Sequence, residues 1–256
     1  MLETHYHTLL LVMSVVALFV FVALYFVKAG YGMFHTEKWG FSLDNKLGWV
    51  LMEAPVFLLM CWLWLHSRSG FRAPQFVFFF LFQLHYFQRS FIFPLLMKGK
   101  SRIPLAIVLM GVTFNLLNGV MQGGGIFYFP PEGLYDAGWA YLLRPNALAG
   151  MLVFFVGMGI NLHSDNVIRH LRKPGDTRHY LPSKGMYRYV TSANYMGELI
   201  EWTGFAIAAA SPAAWVFVWW TAANLVPRAH AIHKKYRQEF GNEAVGNRKR
   251  IIPYLY

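Results

Sequence analysis

The sequence predicts an all-α integral membrane protein of seven transmembrane helices, with its N-terminus outside and its C-terminus in the cytoplasm. Three observations carry that expectation. Hydrophobic residues make up 56% of the 256-residue chain and charged residues only 14%, against about 25% charged in an ordinary soluble domain. The apolar residues fall in runs that can cross a hydrocarbon core of about 30 Å, which takes about 20 residues of helix. Lysine and arginine gather at alternate ends of those runs, the usual record of membrane topology.

The seven runs are Leu9–Val27, Leu47–His66, Phe76–Met97, Leu105–Phe129, Ala147–Leu171, Tyr195–Ala210 and Ala213–Val226. Before the first, Met1–Thr8 holds Glu3 but no basic segment and no small-residue cleavage site, so no removable signal peptide is expected. Pro55 in the second run frees a backbone carbonyl and is expected to bend the helix. Gly123-Gly124-Gly125 marks an expected break near the outer end of the fourth. Gly157-Met158-Gly159 in the fifth follows no strand and lacks a third glycine, so it reads as close helix packing and not as a phosphate loop. Only Ser211-Pro212 separates the last two runs, which form either a tight helical hairpin or one long broken helix.

With the N-terminus outside, the inner segments hold nineteen lysines and arginines, and the outer segments hold three, Arg68, Arg72 and Arg144. Lys173–Lys184, with Pro174-Gly175 and Pro182, reads as a cytoplasmic loop. Residues 1–256 form a single domain. Residues 228–256 are its basic cytoplasmic tail, expected as a partly amphipathic helix along the membrane surface that ends in Tyr254 and Tyr256.

The same features exclude several functions. A net charge of +11 invites a nucleic-acid reading, but the charges mark helix ends and form no stripe, so no nucleic acid is expected. Cys61 is the single cysteine, which rules out an intrachain disulfide. It reads as packing. His230 and His233 form an HxxH without further ligands, so no metal is expected. No internal repeat supports a transporter.

The informative residues are the ionisable ones inside the runs. A charge at bilayer depth costs about 2.5–3.5 kcal/mol on insertion scales. Glu53, Arg89, Asp165, Glu198 and Glu201 lie there, with Asn115, Asn118, Gln122, Asn161, His163 and Asn194. A few mild amides suffice to join helices, whereas several carboxylates point to a site. Asn161, Asp165, Arg169 and Arg172 share one helical face, as do Asn194, Glu198 and Glu201. Tyr86 and Arg89 share a face of the third run. The layout suits a long ligand with an anionic end near the cytoplasm and a reactive end deeper in. A nucleotide cofactor meets that description, with amides and carboxylates for hydroxyls and Arg or Lys for phosphates. A deeper carboxylate and phenol would face an apolar substrate.

These residues carry a resemblance. Gly157-Met-Gly-Ile-Asn161-Leu-His163-Ser-Asp165 running on to Leu171-Arg172-Lys173-Pro174-Gly175, then Ala193-Asn194-Tyr-Met-Gly197-Glu198 with Glu201-Trp202, are similar to motifs of the steroid 5α-reductase family. So are His85-Tyr86-Phe87 with Arg89, Asn118-Gly119-Val-Met-Gln122, and Arg228-Ala229 with His233 and Tyr236. The matches run in family order along most of the chain. The sequence departs at Met52-Glu53-Ala54-Pro55, where the family has Gln-Glu-Leu-Pro, and at Met97, where it has asparagine.

The resemblance implies a multi-pass NADPH-dependent reductase of 3-oxo-Δ4-steroids, in a bacterial inner membrane or an endoplasmic reticulum equivalent. It assigns the substrate's carbonyl to Glu53 and Tyr86, with Trp49 as a wall of the steroid pocket. It assigns the cofactor to Arg89, Asn161, Asp165, Arg172, Asn194, Glu198 and Tyr236. The expected partners are an apolar small molecule (a steroid or similar enone lipid) and the bilayer. Reductases of enoyl thioesters or polyprenols are similar. An isoprenylcysteine methyltransferase-like enzyme shares the style of tail at Arg228-Ala229 and Tyr236 to Gly241, and a transporter is the non-enzymatic alternative.

Overall fold

Among the described residues, seven long helices carry the fold, and their lengths follow from where apolar residues begin and end. The computed structural model describes residues 2–69, 71–98, 101–171 and 178–256. The helices are α1 Leu2–Phe26, α2 Asn45–His66, α3 Ala73–Leu96, α4 Leu105–Tyr128, α5 Pro145–His170, α6 Ala193–Ala209 and α7 Pro212–Val245. The first five are long and apolar enough to cross a membrane. With 17 residues, α6 is about 25 Å long, short of a full hydrocarbon core. The 34 residues of α7 reach about 50 Å. Ala210 between them is left-handed (φ 49°) and Pro212 opens the next helix, so the pair turns back as a hairpin.

The protein is mostly helical, in keeping with the expected all-α class, and two short strands, β1 Ser42–Asp44 and β2 Arg102–Pro104, pair antiparallel at the foot of α2 and α4. The strand leads into an N-cap, where the Asp44 carboxylate accepts from Lys46 N at 2.9 Å and Leu47 N at 3.2 Å. The glycine triplet does not break α4. The helix runs on through a π turn at Gly124–Tyr128, because Gly123 and Gly124 admit the side chains of Leu63 and Tyr6 against the backbone. The basic tail begins no helix of its own. It continues α7 past Pro227 to Val245, with a non-helical Gly241 (φ 84°) inside.

Helix α1 shows why the sequence settles at a bilayer. Tyr6, Leu10, Met13 and Ala17 recur at helical spacing and are buried, while Leu11, Val12, Phe19 and Val22 stay exposed. Lipid solvates such an apolar outer face without penalty. The inner face is fixed by three hydrogen bonds. Tyr6 Oη donates to Met121 O at 2.8 Å, Trp219 Nε1 to Ser14 O at 3.1 Å and Trp220 Nε1 to Met13 O at 2.9 Å.

The tightest pair is α5 against α6. A Cβ on Gly157 would overlap the backbone nitrogen of Glu201, and one on Gly197 that of Asn161. Gly150 and Gly204 make the same kind of approach further along the pair. Small residues let backbones touch where no hydrophobic force drives helices together. Gly159, the other glycine of that motif, faces open space.

Candidate active site

Four helices meet at a deep polar chain. Asn115, Asn118 and Gln122 follow at i, i+3 and i+7, so α4 presents them on one face. All three are buried. Asn115 Nδ2 donates to Glu53 Oε2 at 3.1 Å and to Met52 O at 2.8 Å. The Tyr86 hydroxyl donates to Asn115 Oδ1 at 3.4 Å and accepts from Asn118 Nδ2 at 3.1 Å. Gln122 Nε2 donates to Asn118 Oδ1 at 3.3 Å and to Ala213 O, at the start of α7, at 2.9 Å. Glu53 and Tyr86 are thus brought together through Asn115 and not by a direct bond.

A second cluster lies one turn along α3. Pro94 has no N–H to give the carbonyl one turn back, and the helix widens to a π turn at Gln88–Ile92 just before it. That turn carries Arg89. Its Nη1 donates to Asp165 Oδ2 at 3.2 Å. The guanidinium lies over Trp49 at 5.0 Å and Phe93 at 4.5 Å. Trp49, expected as a pocket wall, steadies the arginine. Asn194 Nδ2 donates to Asp165 Oδ1 at 3.2 Å, Asn161 Nδ2 to Asn194 O at 2.9 Å, and Tyr187 Oη to Asn194 Oδ1 at 3.3 Å. The glycine contact of α5 with α6 makes this possible, because it brings Asn161 and Asn194 within reach of each other's backbone.

Glu198 is half-buried and makes no hydrogen bond among the described residues, yet its charge acts on Arg89 ahead of those of Asp165 and Glu53. Its carboxylate is left as an acceptor that a ribose hydroxyl or a carboxamide N–H can meet. Tyr236 is buried on α7, its ring 5.9 Å from Phe240. Arg172 lies outside the described residues. Nearby, Arg228 ties the segment between α1 and α2 to α6: Nε donates to Tyr195 Oη at 2.9 Å, and the guanidinium stacks on Tyr31 at 3.7 Å.

Two residues were not distinguished by the sequence. His85 appeared there only as a neighbour of Tyr86, and Glu201 as a member of the Glu198 face. The structure joins them: His85 Nδ1 and Glu201 Oε1 are 2.8 Å apart, with both side chains almost fully buried. Trp202 packs on the His85 ring at 4.5 Å. The pair fixes α3 to α6 beside Tyr86. Its signal was a carboxylate three residues from Glu198 at bilayer depth.

The arrangement offers two hydrogen-bonding groups deep in an apolar bundle and a charged, amide-rich cluster beside them. A family model described as 3-oxo-5-alpha-steroid 4-dehydrogenase matches residues 101–256. The chain is 33% identical over 258 residues to "Steroid 5-alpha-reductase DET2" of Gossypium hirsutum, covering 99% of this chain and 98% of that protein. It is 37% identical over 240 residues to "3-oxo-5-alpha-steroid 4-dehydrogenase 2" of Homo sapiens, covering 92% and 91%. It is 35% identical to "3-oxo-5-alpha-steroid 4-dehydrogenase 1" of Bos taurus, again covering 92% and 91%. Similarity at this level along nearly the whole length, on the helices that build both clusters, places the chain in the 3-oxo-5-alpha-steroid 4-dehydrogenase family, the steroid 5α-reductases, and makes it an oxidoreductase.

Proposed function

We propose that the protein is a membrane-embedded, NADPH-dependent reductase that reduces the Δ4 double bond of 3-oxo-Δ4-steroids to 5α-reduced 3-oxosteroids. The observation that carries this reading is the hydrogen-bonded set of Glu53, Asn115, Tyr86 and Asn118, set beside the Arg89–Asp165–Asn194 cluster.

Tyr86 and a neutral Glu53 are two donors for one carbonyl oxygen. Hydrogen bonds to that oxygen draw density from the conjugated alkene and lower the barrier to attack at C5. Negative charge then develops on the 3-oxygen, where donors in a dry site stabilise it most. Uptake of a proton at C4 returns the carbonyl, and the alkene is gone. Asn118 donates to the phenol oxygen, which favours the proton's lying toward the substrate. NADPH, when bound, supplies the hydride. Arg89, Asn161, Asp165, Asn194, Glu198 and Tyr236 are the residues that hold it, with Arg172 as a further phosphate ligand. Asn161, Asn194 and Glu198 suit its hydroxyl and amide groups, and Arg89, braced by Asp165 and Trp49, suits its charge. Glu53, Tyr86 and Trp49 face the steroid.

Seven crossings with the N-terminus outside and the C-terminus in the cytoplasm agree with the arginine and lysine count. The gathering of basic ends supports it: Lys235 Nζ donates to Met33 O at 2.5 Å, and Arg228 Nη2 to Tyr31 O at 3.2 Å.

The test is turnover of purified protein in detergent. A 3-oxo-Δ4-steroid should drive NADPH oxidation with a 5α product. Glu53→Gln and Tyr86→Phe should each lower kcat about 10²–10³-fold while NADPH still binds, and Asp165→Ala should weaken NADPH binding first. No turnover across a panel of steroids and other enones would overturn the substrate assignment. Full activity in both the Glu53 and Tyr86 variants would overturn the carbonyl site.

A further inference from the structure

The far end of α7 encloses a second feature. After the break at Gly241 the chain folds back, so that Lys249 N donates to Tyr189 O at 2.9 Å and Thr191 N to Lys249 O at 2.9 Å. Between these segments lies an open cleft of about 1220 Å³. Arg188, Lys234, Arg237, Arg248, Lys249 and Arg250 line it, and no carboxylate does among the described residues. Arg248 is held in place by the carbonyls of Pro182 at 2.9 Å, Val245 at 2.8 Å and Ala244. Arg250 lies over the Tyr256 ring at 4.6 Å. Arg188, Lys234, Arg237 and Lys249 form no ion pair among the described residues. The acid closest in sequence with a partner, Glu239, is paired with His179 at 3.2 Å.

Surface cations ordinarily alternate with acids. Six converging on one concavity produce a strong positive potential. Two histidines of the same cleft register it. Burial first, and then Arg237, Arg250, His230 and Arg248, push His233 down to about 4. Burial, Arg250 and Lys234 also lower His230. An anion in the cleft relieves that repulsion.

The depth of the cleft is fixed independently. Tyr256 Oη is 3.1 Å from Tyr25 Oη, in the last turns of α1, and the Tyr25 ring meets His230 of the cleft at 5.5 Å. The cleft is therefore level with the end of a helix whose outer face is apolar. Around it Tyr189, Ile252, Tyr254 and Leu255 stand exposed, at 44%, 47%, 78% and 79%. Exposed aromatic and aliphatic side chains beside a basic cluster match the boundary between acyl chains and headgroups, whereas a soluble anion requires no apolar rim.

We propose that this cleft binds the phosphate-bearing headgroup of an anionic phospholipid in the leaflet that the basic helix ends face. Arg188, Arg237 and Lys249 hold the phosphate, and the apolar rim receives the acyl chains. Its lining includes none of Arg89, Asn161, Asp165, Asn194 and Glu198, and the proposal does not depend on the reductase reading.

The full chain in nanodiscs, with NADPH saturating throughout, provides the test. Adding phosphatidylglycerol to phosphatidylcholine should raise the thermal midpoint by about 5 °C at high site occupancy. The shift should vanish in the Lys234→Gln, Arg237→Gln, Lys249→Gln triple variant and persist in Lys184→Gln, whose side chain lies outside the cleft. Native mass spectrometry of the wild type gives a reading without any variant: phosphatidylglycerol should stay bound at an activation energy that strips phosphatidylcholine. Equal midpoints in the two lipids, a shift that survives the triple variant, or equal release of both lipids overturns the proposal. A shift seen only without NADPH would assign the cleft to the cofactor. Inorganic pyrophosphate reproducing the whole shift would assign it to a soluble anion.

Discussion

Tyr86 donates to one amide and accepts from another, and the two bonds have different fates. The bond to Asn115 is long, 3.4 Å, and so weak. A substrate carbonyl can take that proton with little loss, while Asn118 keeps its bond to the phenol oxygen. Asn118→Leu removes that donor and leaves Gln122 without its side-chain acceptor. We expect kcat to fall about 10-fold, the equivalent of about 1.4 kcal/mol, with NADPH affinity unchanged. Steady-state kinetics with a fluorescence-quench titration of NADPH will check both halves. His233 supplies a pH dependence. Its folded value, about 4, lies below the ordinary 6.5, so between these values the unfolded chain holds a proton that the fold does not. Its contribution to stability is complete above about pH 6.5 and is lost as pH falls toward 4. The thermal midpoint of wild type should therefore drop more steeply than that of His233→Gln across that interval. At this scale the sequence marked polar residues by their depth, and the structure joins several of them by hydrogen bonds. The sequence could not say that Asn115, Asn118 and Gln122 form one chain through Tyr86, because spacing reports a shared face and not the partner opposite it.

At the scale of elements, glycine divides into two kinds. Gly157 is where the backbones of α5 and α6 touch, and Gly159, two residues on, faces open space. Gly157→Ala should force the pair apart, at a cost of about 1–3 kcal/mol, and should weaken NADPH binding as Asn161 and Asn194 separate. Gly159→Ala should be neutral or stabilising by up to about 1 kcal/mol. Thermal midpoints and NADPH titrations of the two variants make the comparison. The helices themselves were legible, since each holds an apolar run, and the turn between α6 and α7 was announced by Ser211-Pro212. Two boundaries were not. The glycine triplet of α4 would weaken a helix in water, but here Leu63 and Tyr6 pack onto it and the helix persists as a π turn. Helix α7 outlasts its apolar run because hydropathy marks where a chain leaves the bilayer, not where its backbone hydrogen bonds stop.

For the whole molecule, the alternation of basic ends supports the proposed orientation, which fusions can test. A reporter fused to the C-terminus should be active in the cytoplasm, and one fused to the N-terminus should be active only on the opposite side. Cytoplasmic signal from both fusions would require an even number of crossings. The segment after α7 nevertheless reaches the C-terminal end of α1, where Tyr25 Oη is 3.1 Å from Tyr256 Oη. The segment leading to that residue also holds the loop before α6, through Thr191 N to Lys249 O and Ser192 N to Arg250 O. Asn194 stands two residues further on. The backbone support of a residue proposed to hold the cofactor in α6 is thus supplied by a segment that lies beyond α7. The helices up to Val245 can form and still lack this closure. A chain cut before Lys249 should therefore keep its helices and lose activity.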